Sequence, residues 1–375
     1  MTHLLPEHRV ECANQLLSPS LIIFRSLLLQ NMETILRMAG QPSRLRPHCK
    51  THKIPEIVRL QVARGITKHK AATIAEAEML AGAGATDVMV SYPLVGPNVA
   101  RLAELASIFP QVQFSTTVDN IVAVRSLSEA SLAWRVTLGV ALDINPGRDR
   151  TGVLMDAAAV DLYEQIARAP GLEPAGLHQY DGHQNQPDPA ERRTAVLAVW
   201  DQLASFRDQL VRRSLPVPRI ICGGTPTFPV WTTVLDPLLE LSPGTNLLHD
   251  TNYGDRYPDL SEFVLAALVF TRVISRPTAR RVTLDVGTKS VASDPPMGQR
   301  VTLPAIPDGQ QILHNEEHLV VETDHAGQWQ PGDWMFAIPK HICPTSALHK
   351  SVYVVEHGQL VAEWNVVGRD RRLTV

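Results

Sequence analysis

The sequence has few cysteines and no sign of pairing among them. Cys12, Cys49, Cys222 and Cys343 are scattered, with no CxxC. That excludes a disulfide framework and suits reduced thiols in a cytoplasmic protein. A long apolar run is also missing. The nearest approach, LIIFRSLLL, is broken by Arg25, and nothing reaches the roughly 20 residues that a bilayer span needs. The opening MTHLLPEHRVECANQLL lacks a basic start followed by an apolar stretch, so no secretory signal is read there. Charge of one sign is missing too. With 35 Lys and Arg against 38 Asp and Glu the formal charge is −3, which points to neither nucleic acid nor an anionic membrane as partner. Repeats of fixed period and low-complexity tracts are absent.

What repeats is an architecture. Short β-branched or apolar runs alternate with longer stretches of helical period. Strands are expected at SLIIF, RPHCKT, GITKHKAAT, DVMVSY, QFSTTV, WRVTLGVALDI, PAGLHQY, PRIICGG and PLLELSPG, with helical stretches such as IPEIVRLQVAR and IAEAEMLAGAGA between them. About eight such units in roughly 250 residues predict an α/β fold, a closed (β/α)8 TIM-type barrel over residues 18–260. After residue 260 close-spaced strands with PDGQ and PGDW turns predict a C-terminal antiparallel β domain over 261–375. Residues 1–17 could pack with it.

Barrels of this kind place functional side chains at the C-terminal ends of their strands and in the loops that follow. RPHCKTHK, residues 46–53, ends a strand and puts Lys50 at its mouth. A solvated rim lysine is the plainer alternative. A metal reading of His48, Cys49 and His52 is weaker, because alternation sends His48 and Cys49 to opposite faces. CGGTPT follows the seventh strand. The backbone at Gly223 and Gly224, with Thr225, could approach a phosphate, and SPGT, with Gly244 and Thr245, could form the other wall. DINPGRDRTG offers Arg150, and HQYDGH offers His178, Tyr180, Asp181 and His183; both also read as solvated loops. In the β domain, HICPT sets His341 and Cys343 two apart. In an extended strand they share a face and could hold zinc; a buried cysteine beside a chance histidine is the alternative.

Taken together, these segments resemble the D-threonine aldolase and D-serine dehydratase family, fold-type III, alanine racemase-like pyridoxal-phosphate enzymes. RPHCKTHK resembles its cofactor-lysine signature, HQYDGH its tyrosine loop, GGTPT its phosphate loop and SPGTNLLHD its Pro-Gly-Thr segment. DVGTKSVASD and NEEH are similar to the segments leading to the metal pair, and HICPT to its His-x-Cys or His-x-Asp ligands. Two positions depart from the pattern: Asn246 stands where relatives often carry an aromatic, and Phe24 and Arg25 where they show an acidic residue.

The resemblance implies pyridoxal 5'-phosphate on Lys50, held also by Arg150, Tyr180, Gly223, Gly224, Thr225, Gly244 and Thr245. It implies a divalent metal, zinc or manganese, on His341 and Cys343, with His52, His183 or metal hydroxide as base. It implies a homodimer acting on a small β-hydroxy D-amino acid. Retro-aldol cleavage to glycine and an aldehyde is the leading expectation, because the CPTSALH context is closer to the aldolases. β-Elimination to a keto acid and ammonia is the alternative that His-x-Cys favours. A racemase would need no metal, and a cofactor-binding protein of the barrel-only type would not need the long β domain.

Overall fold

The computed structural model describes residues 4–375. The chain divides into two compact units. One takes in the chain up to Ile35, then Thr51–Ile54 and Thr245–Arg369; the other takes in Leu36–Lys50, Pro55–Gly244 and Asp370–Val375.

The first strand corrects an expectation. Strand β1 (Ser20–Phe24), the SLIIF run, was expected in the barrel. It instead pairs antiparallel with β9 (Ala267–Thr278) and parallel with β15 (Ser351–Glu356) of the other sheet. All five of its residues are buried. A strand covered on both faces reads as a continuous apolar run in either kind of sheet, so composition could not separate the two.

The barrel unit is built on seven parallel strands in sequence order. They are β2 (Lys68–Ala71), β3 (Asp87–Val90), β4 (Gln113–Val118), β5 (Leu138–Ile144), β6 (Leu172–Gln179), β7 (Ile220–Cys222) and β8 (Leu239–Leu241). Helices such as Pro55–Val62, Ile74–Gly82, Pro97–Ile108 and Pro189–Arg212 lie between strands. The eighth position is filled by residues 45–48. Leu45 bridges Leu241 and His48 bridges Lys70, both in parallel. Arg46 N–H donates to Leu241 O at 2.8 Å, and Lys70 N–H to Pro47 O at 2.8 Å. Pro47 has no N–H to give, which keeps this stretch to isolated bridges. Met89, Ala141, Ala175 and Ile221 pack together as a buried core cluster. Gly176, at φ +92°, lets β6 and β7 approach so closely that a Cβ there would lie 1.9 Å from Arg219 O.

Charge is buried near the N-terminal ends of these strands. Arg46, fully buried, forks onto Asp87 at 2.8 and 2.8 Å and reaches Glu240 with Nε at 2.5 Å. Arg219 also binds Asp87, and Lys68 also binds Glu240, each at 2.6 Å. Burial opposes both carboxylates, yet these cations hold Asp87 and Glu240 below the usual carboxylate range.

The second unit carries a nine-stranded sheet. The remaining strands are β10 (Arg281–Leu284), β11 (Val301–Thr302), β12 (Gln310–His314), β13 (Leu319–Glu322), β14 (Trp334–Pro339) and β16 (Gln359–Asn365). They run β12-β13-β10-β9-β1-β15-β16, with β14 joining β9 to β11. Apart from β1 with β15, the pairings between these strands are antiparallel. The segment before β1 is tied into the same unit. His8 Nε2 lies 2.7 Å from Leu265 O, and Arg272 donates to the carbonyls of Ala13 and Leu16.

Removing one partner of a buried ion network leaves the others uncompensated. Arg46→Ala is expected to cost about 3–5 kcal/mol, read as a lower urea midpoint.

Candidate active site

Lys50 stands in a single 3-10 turn, Cys49–Thr51, directly after the barrel-closing segment. Its N–H donates to His48 Nδ1 at 3.3 Å. Its Nζ lies 5.6 Å from the ring centroid of Tyr180, which follows the end of β6. Arg150 and Arg148 lie over the same ring, at 4.8 and 5.8 Å. Three cations thus lie within 6 Å of the centre of one aromatic ring.

The loop after β7 is shaped by contact. A Cβ on Gly224 would meet Tyr180 Cε2 at 3.1 Å, and one on Gly223, where φ is +89°, would meet Trp231 Cδ1 at 2.7 Å. Asp181 anchors the loop from below: it accepts from Thr227 Oγ1 at 2.9 Å and from Trp231 Nε1 at 2.6 Å. Burial raises its pKa, and its two acceptor positions are taken by structure. Thr225 is buried. Ser242, next after β8, donates its N–H to Cys222 O, while its buried Oγ has no partner among the described residues. Gly223 and Gly224, with the orphaned Ser242 hydroxyl beside them, have the chemistry of a phosphate cradle.

Below this mouth lies an arrangement that period and spacing did not show. Lys70 Nζ is 2.9 Å from His178 Nε2, and His178 Nδ1 is 2.7 Å from Asp143 Oδ1. All three side chains are buried. Burial, and then the ammonium of Lys50, lower Lys70 to about 7. Burial, and then Lys70, lower His178. A small polar pocket is lined by Asp143 and His178 together with Ser91, Arg150, Thr151 and Tyr180. The signal in the sequence was KHK: alternation puts Lys68 and Lys70 on one face of a strand, but only the fold shows what they meet.

His48, Cys49 and Glu76 gather as well, with potential ligand atoms all within 4.8 Å of one another. The 3-10 turn beginning at Cys49 overrides the strand alternation that had separated His48 from Cys49. Glu76 Oε2 already accepts the Ala72 N–H at 2.6 Å and the Cys49 thiol at 3.5 Å, while Thr73 caps the Glu76 N–H. This carboxylate serves a helix start.

In the other unit, HICPT is not extended. His341 is the N-cap of the helix Ile342–Leu348, so Cys343 lies in its first turn. Pro344 follows within that turn, where the N–H it lacks would have no helical acceptor. His341 Nδ1 is 2.6 Å from Asp294 Oδ2, which orients the ring and leaves Nε2 on the other side. Burial would lower His341, but hydrogen bonds to Cys343 and Asp294 raise it to about 9. The half-exposed Cys343 Sγ has hydroxyls of Thr51 at 3.2 Å and Thr245 at 3.3 Å. Thr245, expected beside the cofactor, therefore stands beside this thiol; Gly244 closes the barrel unit just before it. A cysteine and a histidine held by a carboxylate are two donors that fit zinc, and water or substrate would have to fill the remaining positions. Asp294 was missed because its partner lies 47 residues away.

Of the two expected bases, His52 is buried and its Nδ1 accepts the Ile54 N–H at 3.1 Å. His183 is half-buried; its Nε2 is 3.2 Å from Gln184, and its buried Nδ1 has no partner among the described residues.

Residues 24–248 match the model "Alanine racemase, N-terminal domain", and residues 266–355 match "Putative serine dehydratase domain". The first match spans more than half of the chain, which belongs to the alanine racemase-like family, on its D-threonine aldolase and D-serine dehydratase side. A D-threonine aldolase from an Arthrobacter species is 29% identical over 94% of this chain and 92% of its own length. A D-threo-3-hydroxyaspartate dehydratase from a Delftia species is 24% identical over 88% and 91%. The crystal structure of D-threonine aldolase from Filomicrobium marinum superposes with a TM-score of 0.87 at 29% identity, over 96% of this chain and 98% of that one.

Lys70 yields a pH-dependent expectation. Folded it titrates at about 7, unfolded at about 10.4. Between these values the folded state binds fewer protons, so this residue's contribution to stability rises with pH and is at its worst below 7. Lys70→Met should therefore raise the urea midpoint more, or lower it less, at pH 6 than at pH 9.5. A shift independent of pH would show that Lys70 is not a depressed amine.

Proposed function

We propose that the protein is a pyridoxal-phosphate- and divalent-metal-dependent lyase that cleaves β-hydroxy D-amino acids to glycine and an aldehyde. The observation that carries this reading is Lys50 at the barrel mouth, facing Tyr180 and Arg150. The Gly223–Thr225 loop stands against the same tyrosine.

When bound, the cofactor would act as an electron sink for bonds at the substrate's Cα. Lys50 Nζ would hold its aldehyde carbon and, released by an incoming amino group, would stand at Cα as a base. Tyr180 and Arg150 would orient the ring. Gly223, Gly224 and Thr225, with Ser242 and Gly244, would hold the phosphate through close backbone approach. His341 and Cys343 would hold the metal, which acts as a Lewis acid on the β-hydroxyl. For retro-aldol cleavage a base must take the β-hydroxyl proton. His52 and His183 are the candidates beside metal hydroxide; His52 Nδ1 accepts a backbone N–H, and His183 Nε2 faces the Gln184 side-chain NH2.

Cys343 favours a second reading. With it in the ligand pair, Lys50 would take the Cα proton, and a metal held by His341 and Cys343 would supply the Lewis acidity that eases loss of the β-hydroxyl. Similarity to both an aldolase and a dehydratase supports keeping it as the alternative. A racemase would leave His341, Cys343 and Asp294 without a task. The cysteines among the described residues are free, which suits our reading of a cytoplasmic enzyme; no helix there is long and apolar enough to cross a membrane. We take it to be a homodimer, as its family resemblance implies.

The protein, with cofactor and Zn²⁺ or Mn²⁺, should release glycine and acetaldehyde from D-threonine. Pyruvate and ammonia from D-serine without glycine would transfer it to the eliminating reading, and neither product would overturn both. Lys50→Ala should lose the visible absorbance of lysine-held cofactor; its survival would show that another residue carries it. Cys343→Ala should keep that absorbance and lose metal-dependent turnover, whereas an unchanged, chelator-sensitive rate would put the metal elsewhere.

A further inference from the structure

The turn that presents His341 and Cys343 is short, and its N-cap residue cannot cap it. His341 makes no side-chain cap hydrogen bond, and its ring is committed to Asp294. The first N–H groups of a helix need acceptors from elsewhere. One comes from a distant segment. Asp250, fully buried, accepts the N–H of Ile342 on Oδ2 at 3.0 Å. Ile342 is the residue between the two ligands. The other oxygen, Oδ1, accepts the N–H of Tyr253 at 3.1 Å and caps the short helix Thr251–Gly254. Three further contacts hold the same two segments together. Asn252 N–H donates to Lys340 O at 3.2 Å, and Lys340 Nζ reaches Thr251 O at 3.3 Å and Asp255 at 3.1 Å. On the far side, Thr345 Oγ1 donates to His341 O at 2.8 Å and accepts the Ala292 N–H at 3.0 Å.

We propose that Asp250 is the positioning residue of the metal pair: its carboxylate fixes the peptide between His341 and Cys343, so that imidazole and thiolate face a single divalent ion. This inference rests on the assignment of those two residues as ligands. The carboxylate offers acceptors on both oxygens to two converging N–H donors. An amide offers only one oxygen, and its NH2 would face the second donor. Asp250→Asn therefore keeps the size and the burial while losing one of the two anchors.

The test is Zn²⁺ binding to protein without cofactor, measured by calorimetry. Wild type, Asp250→Asn, Ile342→Pro, Asp250→Ala with Ile342→Pro, and His341→Ala are compared, with folding followed by circular dichroism. Proline is compatible with the first helical position; of the two N–H groups that Asp250 accepts it removes that of residue 342, at the cost of the buried isoleucine side chain, and Ile342→Ala serves as the control for that loss. Asp250→Asn and Ile342→Pro should each weaken Zn²⁺ binding about 10- to 100-fold. Adding Asp250→Ala to Ile342→Pro should weaken it no further, and capture of the cofactor at Lys50 should be unchanged in Asp250→Asn. If Asp250→Asn does not fold, Ile342→Pro alone carries the comparison. Binding lost in His341→Ala but kept within twofold in folded Asp250→Asn or Ile342→Pro would overturn the role of Asp250 alone. Binding unchanged in His341→Ala would overturn the ligand pair and this inference with it.

Discussion

The barrel mouth depends on one guanidinium. Arg46 lies four residues before Lys50, in the segment that completes the barrel without forming a ladder of its own. Its backbone is held to Leu241 and its side chain to Asp87 on β3 and Glu240 on β8. An isolated buried cation would be prohibitive, and its solvation here is replaced by two carboxylates that are themselves shared with Arg219 and Lys68. The same residue thus sets which strands neighbour the segment and how far along them it lies. Only with that register settled does the turn Cys49–Thr51 bring Lys50 over Tyr180.

Two groups of buried charge in this unit behave differently. Around Arg46, three cations share two carboxylates, and the carboxylates stay ionised well below neutrality. Around His178 the cation is in excess. Lys70 lies near Lys50 and Arg46, and Asp143 offsets only part of that charge. Burial and repulsion leave the amine poised near neutrality, as groups that exchange protons at working pH tend to be.

Parts of this were legible in the sequence for definite reasons. Barrel strands and their helices show through period and length, and RPHCKTHK through its match to a known signature. SLIIF did not reveal its sheet, because a strand buried on both faces carries no alternation. HICPT looked extended because two ligands at i and i+2 suit a strand; Pro344 in the first turn of a helix is an equally good reading of those five letters. Lys70, Asp143 and Asp294 were not identified because their partners lie 108, 35 and 47 residues away. Periodicity gives the face on which a side chain emerges, but not which faces converge.

The choice between the two lyase reactions comes down to where a proton is taken. Elimination needs a base at Cα, the role proposed for Lys50. Retro-aldol cleavage needs a base at the β-hydroxyl, so a second acceptor has to exist. RPHCKTHK supplies a histidine two residues after the lysine, and proximity in sequence favours it. The structure weakens that candidate, because His52 Nδ1 is occupied by the Ile54 N–H and its ring is buried. His183 is different. Its ring bonds Gln184 through Nε2 and keeps a second nitrogen unsatisfied, in a half-buried loop three residues beyond Tyr180. The Gln184 side-chain NH2 can only donate, so in the neutral ring His183 Nε2 accepts and the unpartnered Nδ1 carries the proton. Neither ring offers a free acceptor in this arrangement, so the base at the β-hydroxyl is the point on which the aldolase reading turns, whereas Cys343 in place of a carboxylate ligand pulls toward elimination.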